Sequence, residues 1–313
     1  MKTPLVALDL TQSGGAEPIG FDEFCARLTE QGVNLANEAC TSALAKLLAQ
    51  LNANRTFLAD FALAELKAGC SSQVSMNAYG AQVLMLGRVA NSHFIRANFW
   101  PANDDPVLKA SGARHYAYHL PHDHNFDFLT IGYWGPGYRS RWYEYDNAMV
   151  AGYCGEKVNL APVEDGHLSP GRILHYRAHR DVHDQHPPAA LSISVNIVPE
   201  NAHAVWRDQY HFDLDRGCLS EIATIGQTEV ALRIVAALSD NGLDLAHEFS
   251  RLHPSERVRW HAWKALLSAQ KDDIARLILL ESATSDASLL VRGEARLLQS
   301  ELTNWVETGV GNI

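Results

Sequence analysis

Apolar residues recur at intervals of three and four from Phe21 to Ala68, the spacing that lines one face of a helix. Gly69 follows as a stop. From Gln82 the pattern shortens into runs bounded by Gly, Pro, Asn and Asp: "QVLMLGRVA", "HFIRANFW", "FDFLTIGYW", "RWYEYDNAMVAGY", "GRILHYRA" and "ALSISVNIV". Such runs read as short strands separated by turns, and six of them predict an antiparallel barrel or sandwich. After about Asp213 the helical period returns and continues to the end of the chain. The pattern therefore predicts an α+β protein in three parts: a helical region over 1–80, a β-barrel over 81–215 and a second helical region over 216–313.

Within the last part, "VRWHAWKALLS" from Val258 and "VRGEARLLQS" from Val291 share a Val-Arg-x-x-Ala spacing at a 33-residue offset. This resembles helical repeats of the HEAT type, which commonly present surfaces to other proteins. A protein partner or a homo-oligomer formed through the helical regions is the corresponding expectation.

Composition narrows the function. The chain has 313 residues, 47% of them hydrophobic, and a net charge of -10, enough to bury a full core and without the clustered basic excess that phosphate backbones require. No nucleic-acid partner is expected. Nowhere do eighteen apolar residues run together, and the N-terminal stretch lacks the pattern of a signal peptide, so the sequence predicts a soluble, cytoplasmic protein with no membrane partner. Cys25, Cys40, Cys70, Cys154 and Cys218 are odd in number and scattered, which reads as reduced thiols in the core.

Histidine is the anomaly. Of 15 histidines, 11 lie between His115 and His211. In "HLPHDHNFDFLTIGYWGPGY" the pair His122 and His124 is two residues apart at the edge of a predicted strand. On a strand both imidazoles would project to one face with Phe126, Phe128 and Thr130, away from Leu129, Ile131 and Tyr133. Two neutral imidazoles side by side make half of a metal site.

The His-x-His pair, the glycine-bearing strand "LTIGYWGPG" and, some forty residues on, "GHLSPGRILHYRAHRDVHDQ" resemble the two motifs of the cupin superfamily. Cupins are small antiparallel barrels whose inward side chains converge on one cavity. Where a typical cupin carries a glutamate after the His pair, this chain has Phe128 and Leu129, which favours a site of three histidines. "PHDH" before an aromatic strand, Arg96 in "HFIRANFWP" and the closing "HRDVHDQHPPAALSISVNIVPE" look like the thiol dioxygenase branch, the cysteine dioxygenase superfamily. The resemblance covers about residues 82–200. It implies ferrous iron on three histidines and an arginine, Arg96, that binds a substrate carboxylate. The last strand departs from that family: Ser192, Ser194 and Asn196 stand where it uses His and Tyr, and no cysteine follows the His pair.

The third ligand is open among His175, His179, His183 and His186. His175 fits the general cupin spacing and His179 the thiol dioxygenase spacing. His183, just before the inward-facing last strand, is the preferred candidate, with His179 the alternative. Asp127, Glu144 and Asp146 are candidate supports for a ligand. Arg96 and Tyr143 are the candidate catalytic side chains, and Arg96, Phe128, Trp142 and Asn196 the candidate substrate contacts. His211-Phe-Asp213, the nearest match to a His-x-Asp iron motif, falls where the barrel gives way to helices. Together these imply a mononuclear non-haem Fe(II) oxygenase that uses dioxygen on a small carboxylate- or thiol-bearing molecule or peptide, with another divalent transition metal in place of iron as a variant. The contrasting expectation is a non-catalytic metal- or ligand-binding cupin with helical protein-interaction arms.

Overall fold

The computed structural model describes residues 9–12, 15–77, 80, 82–89, 92–200 and 204–308. In chain order its elements are helices α1 (Phe21–Gln31), α2 (Glu38–Ala53), α3 (Phe57–Lys67) and α4 (Ser71–Met76), strands β1 (Val83–Val89) and β2 (His93–Trp100), a short helix α5 (Pro106–Ser111), strands β3 (Phe128–Trp134), β4 (Arg139–Glu144), β5 (Ala161–His167), β6 (Ile173–Tyr176), β7 (Asp181–His186), β8 (Ser192–Pro199), β9 (Tyr210–Asp213) and β10 (Cys218–Ile222), and helices α6 (Gln227–Leu238), α7 (Asp240–Leu252), α8 (Glu256–Ser268), α9 (Asp273–Ala283) and α10 (Leu289–Thr308). Backbone contacts divide them into two compact units, one holding the described residues up to Tyr145 with 161–200, the other 146–160 with 204–308.

In the first unit β1, β2, β8, β3 and β6 form, in that order, a five-stranded antiparallel sheet, and β5, β4 and β7 a separate three-stranded one. The expected barrel takes the form of two sheets, and isolated bridges tie the connecting segments to them: Tyr118 to Gln185 and His122 to His183 on β7, and Pro170 to Gly132 on β3. The chain crosses from one sheet to the other through Gly135-Pro136-Gly137. Both glycines have φ near +80° (82° and 81°), and a Cβ on Gly137 would lie 2.2 Å from the Leu168 carbonyl oxygen, so neither position tolerates a side chain.

The five-stranded sheet has two unlike faces because side chains alternate along a strand. Ile95, Ala97, Leu129, Ile131, Val195 and Ile197 point outward and are at most 1% exposed. They share a cluster with Phe24 and Leu28 of α1, Leu44, Leu48 and Leu51 of α2, and Phe57 and Leu58 of α3. Helix α2 starts cleanly because the Asn37 side chain accepts a hydrogen bond from the Cys40 amide at 2.9 Å, an N-cap. The opposite face meets the three-stranded sheet in a second cluster with Val83, Met85, Phe94, Phe128, Tyr176 and Trp142.

The second unit packs α6 to α10 around Leu232, Ala246, Trp260, Leu266, Leu280 and Leu290. Val258 and Val291, and likewise Ala262 and Ala295, are completely buried, so the 33-residue offset places equivalent residues on equivalent faces of α8 and α10. Arg257, 1% exposed, is neutralised by Asp208 at 2.5 Å and by Glu229. The helical period does not resume at Asp213: the β9–β10 hairpin runs on to Ile222 before α6 begins. Among the described residues no helix is long and apolar enough to cross a membrane, and the five cysteines are free.

Candidate metal centre

His122 and His124 do not lie on a strand. They occupy the extended segment before β3, which starts only at Phe128, so the expected strand geometry is corrected. His122 is fixed instead by a reciprocal backbone pair with β7: its N–H donates to the His183 carbonyl at 3.1 Å and the His183 N–H donates to the His122 carbonyl at 2.9 Å. The His124 carbonyl accepts from the His179 amide at 2.8 Å. The segment is held as firmly as a strand, without a strand's continuous ladder.

Three imidazoles converge here. His183 Nε2 lies 3.0 Å from His122 Nε2 and 3.0 Å from His124 Nε2, and the three donor atoms fall within 4.8 Å of one another. His122 Nδ1 sits 2.7 Å from the Leu120 carbonyl oxygen. A carbonyl can only accept, so Nδ1 carries the proton and Nε2 turns a bare lone pair toward the cluster. Burial, and then the neighbouring imidazoles, push the pKa values of His124 and His183 well below the ordinary range; Arg96 adds to the effect at His124. Both are neutral at physiological pH.

This donor set fits a metal ion. His122 Nε2 has no proton to give, and one proton on His183 Nε2 can serve only one of its two neighbours, so protons alone leave a contact between lone pairs. A cation satisfies all three. Metal–nitrogen bonds of about 2.1 Å would place neighbouring ligand atoms about 3.0–3.4 Å apart, and the two separations of 3.0 Å fall in that range.

The other candidates sort clearly. His175 is on β6, facing away from the cluster toward Asp127, 3.9 Å away. His179 stands in the turn between β6 and β7 with φ 54°, its Nδ1 3.9 Å from Asp123, and His186, at the end of β7, lies 3.1 Å from Asp184. Asp127 accepts the Ala178 amide at 3.1 Å, Glu144 pairs with Arg177 and Arg180, and Asp146 receives the Ala148 amide at 3.1 Å; none of the three joins the cluster. His211 is in the second unit, paired with Glu221 at 2.9 Å. The fully buried Asp123 accepts the Tyr145 hydroxyl at 2.6 Å and thereby anchors the loop between His122 and His124.

The imidazoles open into a cavity of about 220 Å³ between the two sheets. Arg96, Asn196 and Thr130 form one row across β2, β8 and β3, since Arg96 pairs with Asn196 and Asn196 with Thr130. All three line the cavity, as does Phe128, whose ring meets His124 edge-on at 4.8 Å. Trp142 and Tyr143 do not line it. Trp142 is buried behind Tyr176, to whose hydroxyl its Nε1 donates at 2.8 Å, and Tyr143 is on the opposite face of β4.

Several wall residues were not singled out from the sequence, Asn98, Arg114, Tyr138 and Gln185 among them. Tyr138 follows the Gly-Pro-Gly turn; burial pushes its hydroxyl up to about 12, against hydrogen bonding with Gln185 and Tyr176, so it stays a protonated donor. Gln185 is two residues beyond His183 on the same face of β7. The turn glycines and the period of two after His183 were the available signals.

No protein-family model and no curated protein matches the chain. Among solved structures it is similar to hydroquinone 1,2-dioxygenase from Sphingomonas sp. TTNP3 (11% identity over 42% of this chain and 72% of that one, TM-score 0.24), to a DMSP lyase from Ruegeria pomeroyi (11%, 64% and 81%, TM-score 0.23) and to a cupin domain from Bordetella pertussis (10%, 40% and 99%, TM-score 0.20). At these TM-scores the likeness carries no argument about chemistry, which the side chains themselves must supply.

Proposed function

We propose that the protein is a mononuclear metal-dependent oxygenase of the cupin kind, its ion held by His122, His124 and His183 and its substrate a small molecule bearing a carboxylate. The observation that carries this reading is the convergence of three imidazole Nε2 atoms in the wall of a cavity. A divalent ion, Fe(II) in the first place, would supply an electrophilic centre on which substrate and dioxygen are brought together. The chain's own residues do the rest. His122 is locked in its ligating tautomer by Leu120; Arg96 offers a planar two-bond fork to a carboxylate; Asn196 and Thr130, beside it in the row, offer further hydrogen bonds; Phe128 covers the His124 ring and keeps water from that side. Tyr138 holds a proton available to the bound molecule.

Anaerobic loading with Fe(II), followed by oxygen-uptake measurements with small carboxylic acids, amino acids and thiols, tests the proposal. Oxygen uptake that depends on both iron and one of these compounds supports it. Stoichiometric metal binding without turnover of any of them favours a non-catalytic metal-binding protein.

A further inference from the structure

Three side-chain oxygens around the cavity are buried without a hydrogen-bond partner: Gln82 Oε1, Asn98 Oδ1 and Thr130 Oγ1. Thr130 stands in the row with Asn196 and Arg96. The other two mark a second place. Asn98, 8% exposed, is on β2, and Gln82 stands just before β1, where its backbone carbonyl accepts the Phe99 amide at 2.8 Å. The two carboxamides are thus brought together by neighbouring ends of one strand pair. A buried carboxamide left unpaired destabilises the fold that contains it, and two around one cavity call for an explanation.

The surrounding strands do not serve them. Ser194, directly across from Asn98 on β8, accepts instead from the Trp100 indole N–H at 3.0 Å. Val83 and Trp100, which flank the two amides in the lining, are 4% and 8% exposed and hold the place open on its apolar sides. The charge of the wall then decides what the amides can receive. Among the described residues no carboxylate lines the cavity, so an ammonium would be desolvated there with no anion to offset it. A hydroxyl carries no such cost. It both donates and accepts, and therefore meets a carboxamide whichever way the amide is turned.

We propose that Asn98 and Gln82 form a subsite for an uncharged hydroxyl, so that the molecule taken by the cavity is a short hydroxy acid with its hydroxyl at the end away from the carboxylate. This rests on the metal centre and the carboxylate anchor proposed above; the hydroxyl end itself involves neither Arg96 nor Arg114. Asn98 follows Arg96 by two residues on the same face of β2, which separates the two ends by about 7 Å along the strand. A volume of 220 Å³ is that of about seven waters, which suits an acid of this length and excludes a nucleotide or a folded peptide.

The test uses the full chain loaded with Ni(II), a redox-quiet ion, with metal content measured on the same samples. Calorimetric titrations at constant ionic strength compare γ-hydroxybutyrate and δ-hydroxyvalerate with their methyl counterparts valerate and caproate, and with γ-aminobutyrate. We expect the better hydroxy acid to bind about three- to tenfold more tightly than its methyl counterpart, the worth of one neutral hydrogen bond, and γ-aminobutyrate to bind more weakly than either. Asn98→Leu should reverse the order of hydroxy and methyl acid at unchanged metal content, and Gln82→Met should shrink the hydroxyl preference. Far-UV circular dichroism reports whether Asn98→Leu is folded; if it is not, Gln82→Met decides. Metal-replete protein with no hydroxyl preference, or with the same preference in the folded variants, overturns the subsite and leaves the metal centre standing. Metal-replete protein that binds none of the acids overturns the carboxylate anchor and the subsite together. Protein that takes up no metal overturns the metal centre, and the hydroxy-acid proposal with it.

Discussion

The two faces of the five-stranded sheet are made by the same strands and obey opposite rules. On the outer face Leu129, Ile131, Val195 and Ile197 are sealed under α1, α2 and α3, where aliphatic contacts are replaceable by others of similar volume. On the inner face, one residue along each strand, Thr130, Asn196, Asn98 and Arg96 stand in the cavity wall. These polar side chains contribute less to folding than aliphatic ones in their places would. A strand can therefore carry stability and chemistry at once, provided each keeps to its own parity, and substitutions on the two faces should separate the two properties.

The largest effect is expected at the cluster. His183→Ala should weaken metal binding more than about a hundredfold, because a ligand is lost outright where even supporting groups cost ten- to a hundredfold; elemental analysis with far-UV circular dichroism checks it. Full metal content in a folded His183→Ala protein would sink the assignment, and His179→Ala should by contrast keep most of the metal. On the other face, Leu129→Ala should lower unfolding free energy by about 2–5 kcal/mol, measured by urea denaturation, with metal affinity unchanged in the folded protein. If Leu129→Ala weakens metal binding as much as it weakens folding, the faces are not separable.

Arg96→Lys should reduce kcat/KM about ten- to a hundredfold on a carboxylate substrate, the worth of a charge-assisted pair at roughly 1.5–3 kcal/mol, while iron content stays constant. A kinetically silent Arg96→Lys would make Arg96 a structural residue. The smallest effect belongs to Thr130, whose buried hydroxyl has no hydrogen-bond partner among the described residues. Thr130→Val should leave the denaturation midpoint level or slightly raised, within about 1 kcal/mol. A clear loss of stability would show that the hydroxyl is needed by the fold and not reserved for a ligand.

What could be read in advance followed the same division. The N-terminal helices and strands such as "HFIRANFW" announced themselves because their outer face is apolar and periodic. β7, "DVHDQH", did not: its inward residues Asp181, His183 and Gln185 are polar although at most 3% exposed, so hydropathy described a loop where the structure has a buried strand. The choice among His175, His179 and His183 could not be made from spacing, because the turn at Arg177–Arg180 between β6 and β7 decides which of them faces the cluster. Trp142 and Tyr143 illustrate a further limit, since aromatic residues next to each other suggested one pocket while their side chains leave the strand in opposite directions. The pairing of Arg96 with Asn196 is a register, and register is not visible in one strand alone.

The reciprocal bridge between His122 and His183 bears on the order of events in assembly. Their rings belong to residues 61 positions apart, so the donors come together only after a long loop has closed, an entropic cost that a few polar contacts cannot offset early in folding. An ion held there would arrive as a latch on a finished structure and could not act as its seed. Its escape requires that latch to open, so slow exchange of the His122 and His183 amide protons with solvent and slow release of the metal should be two readings of one clock.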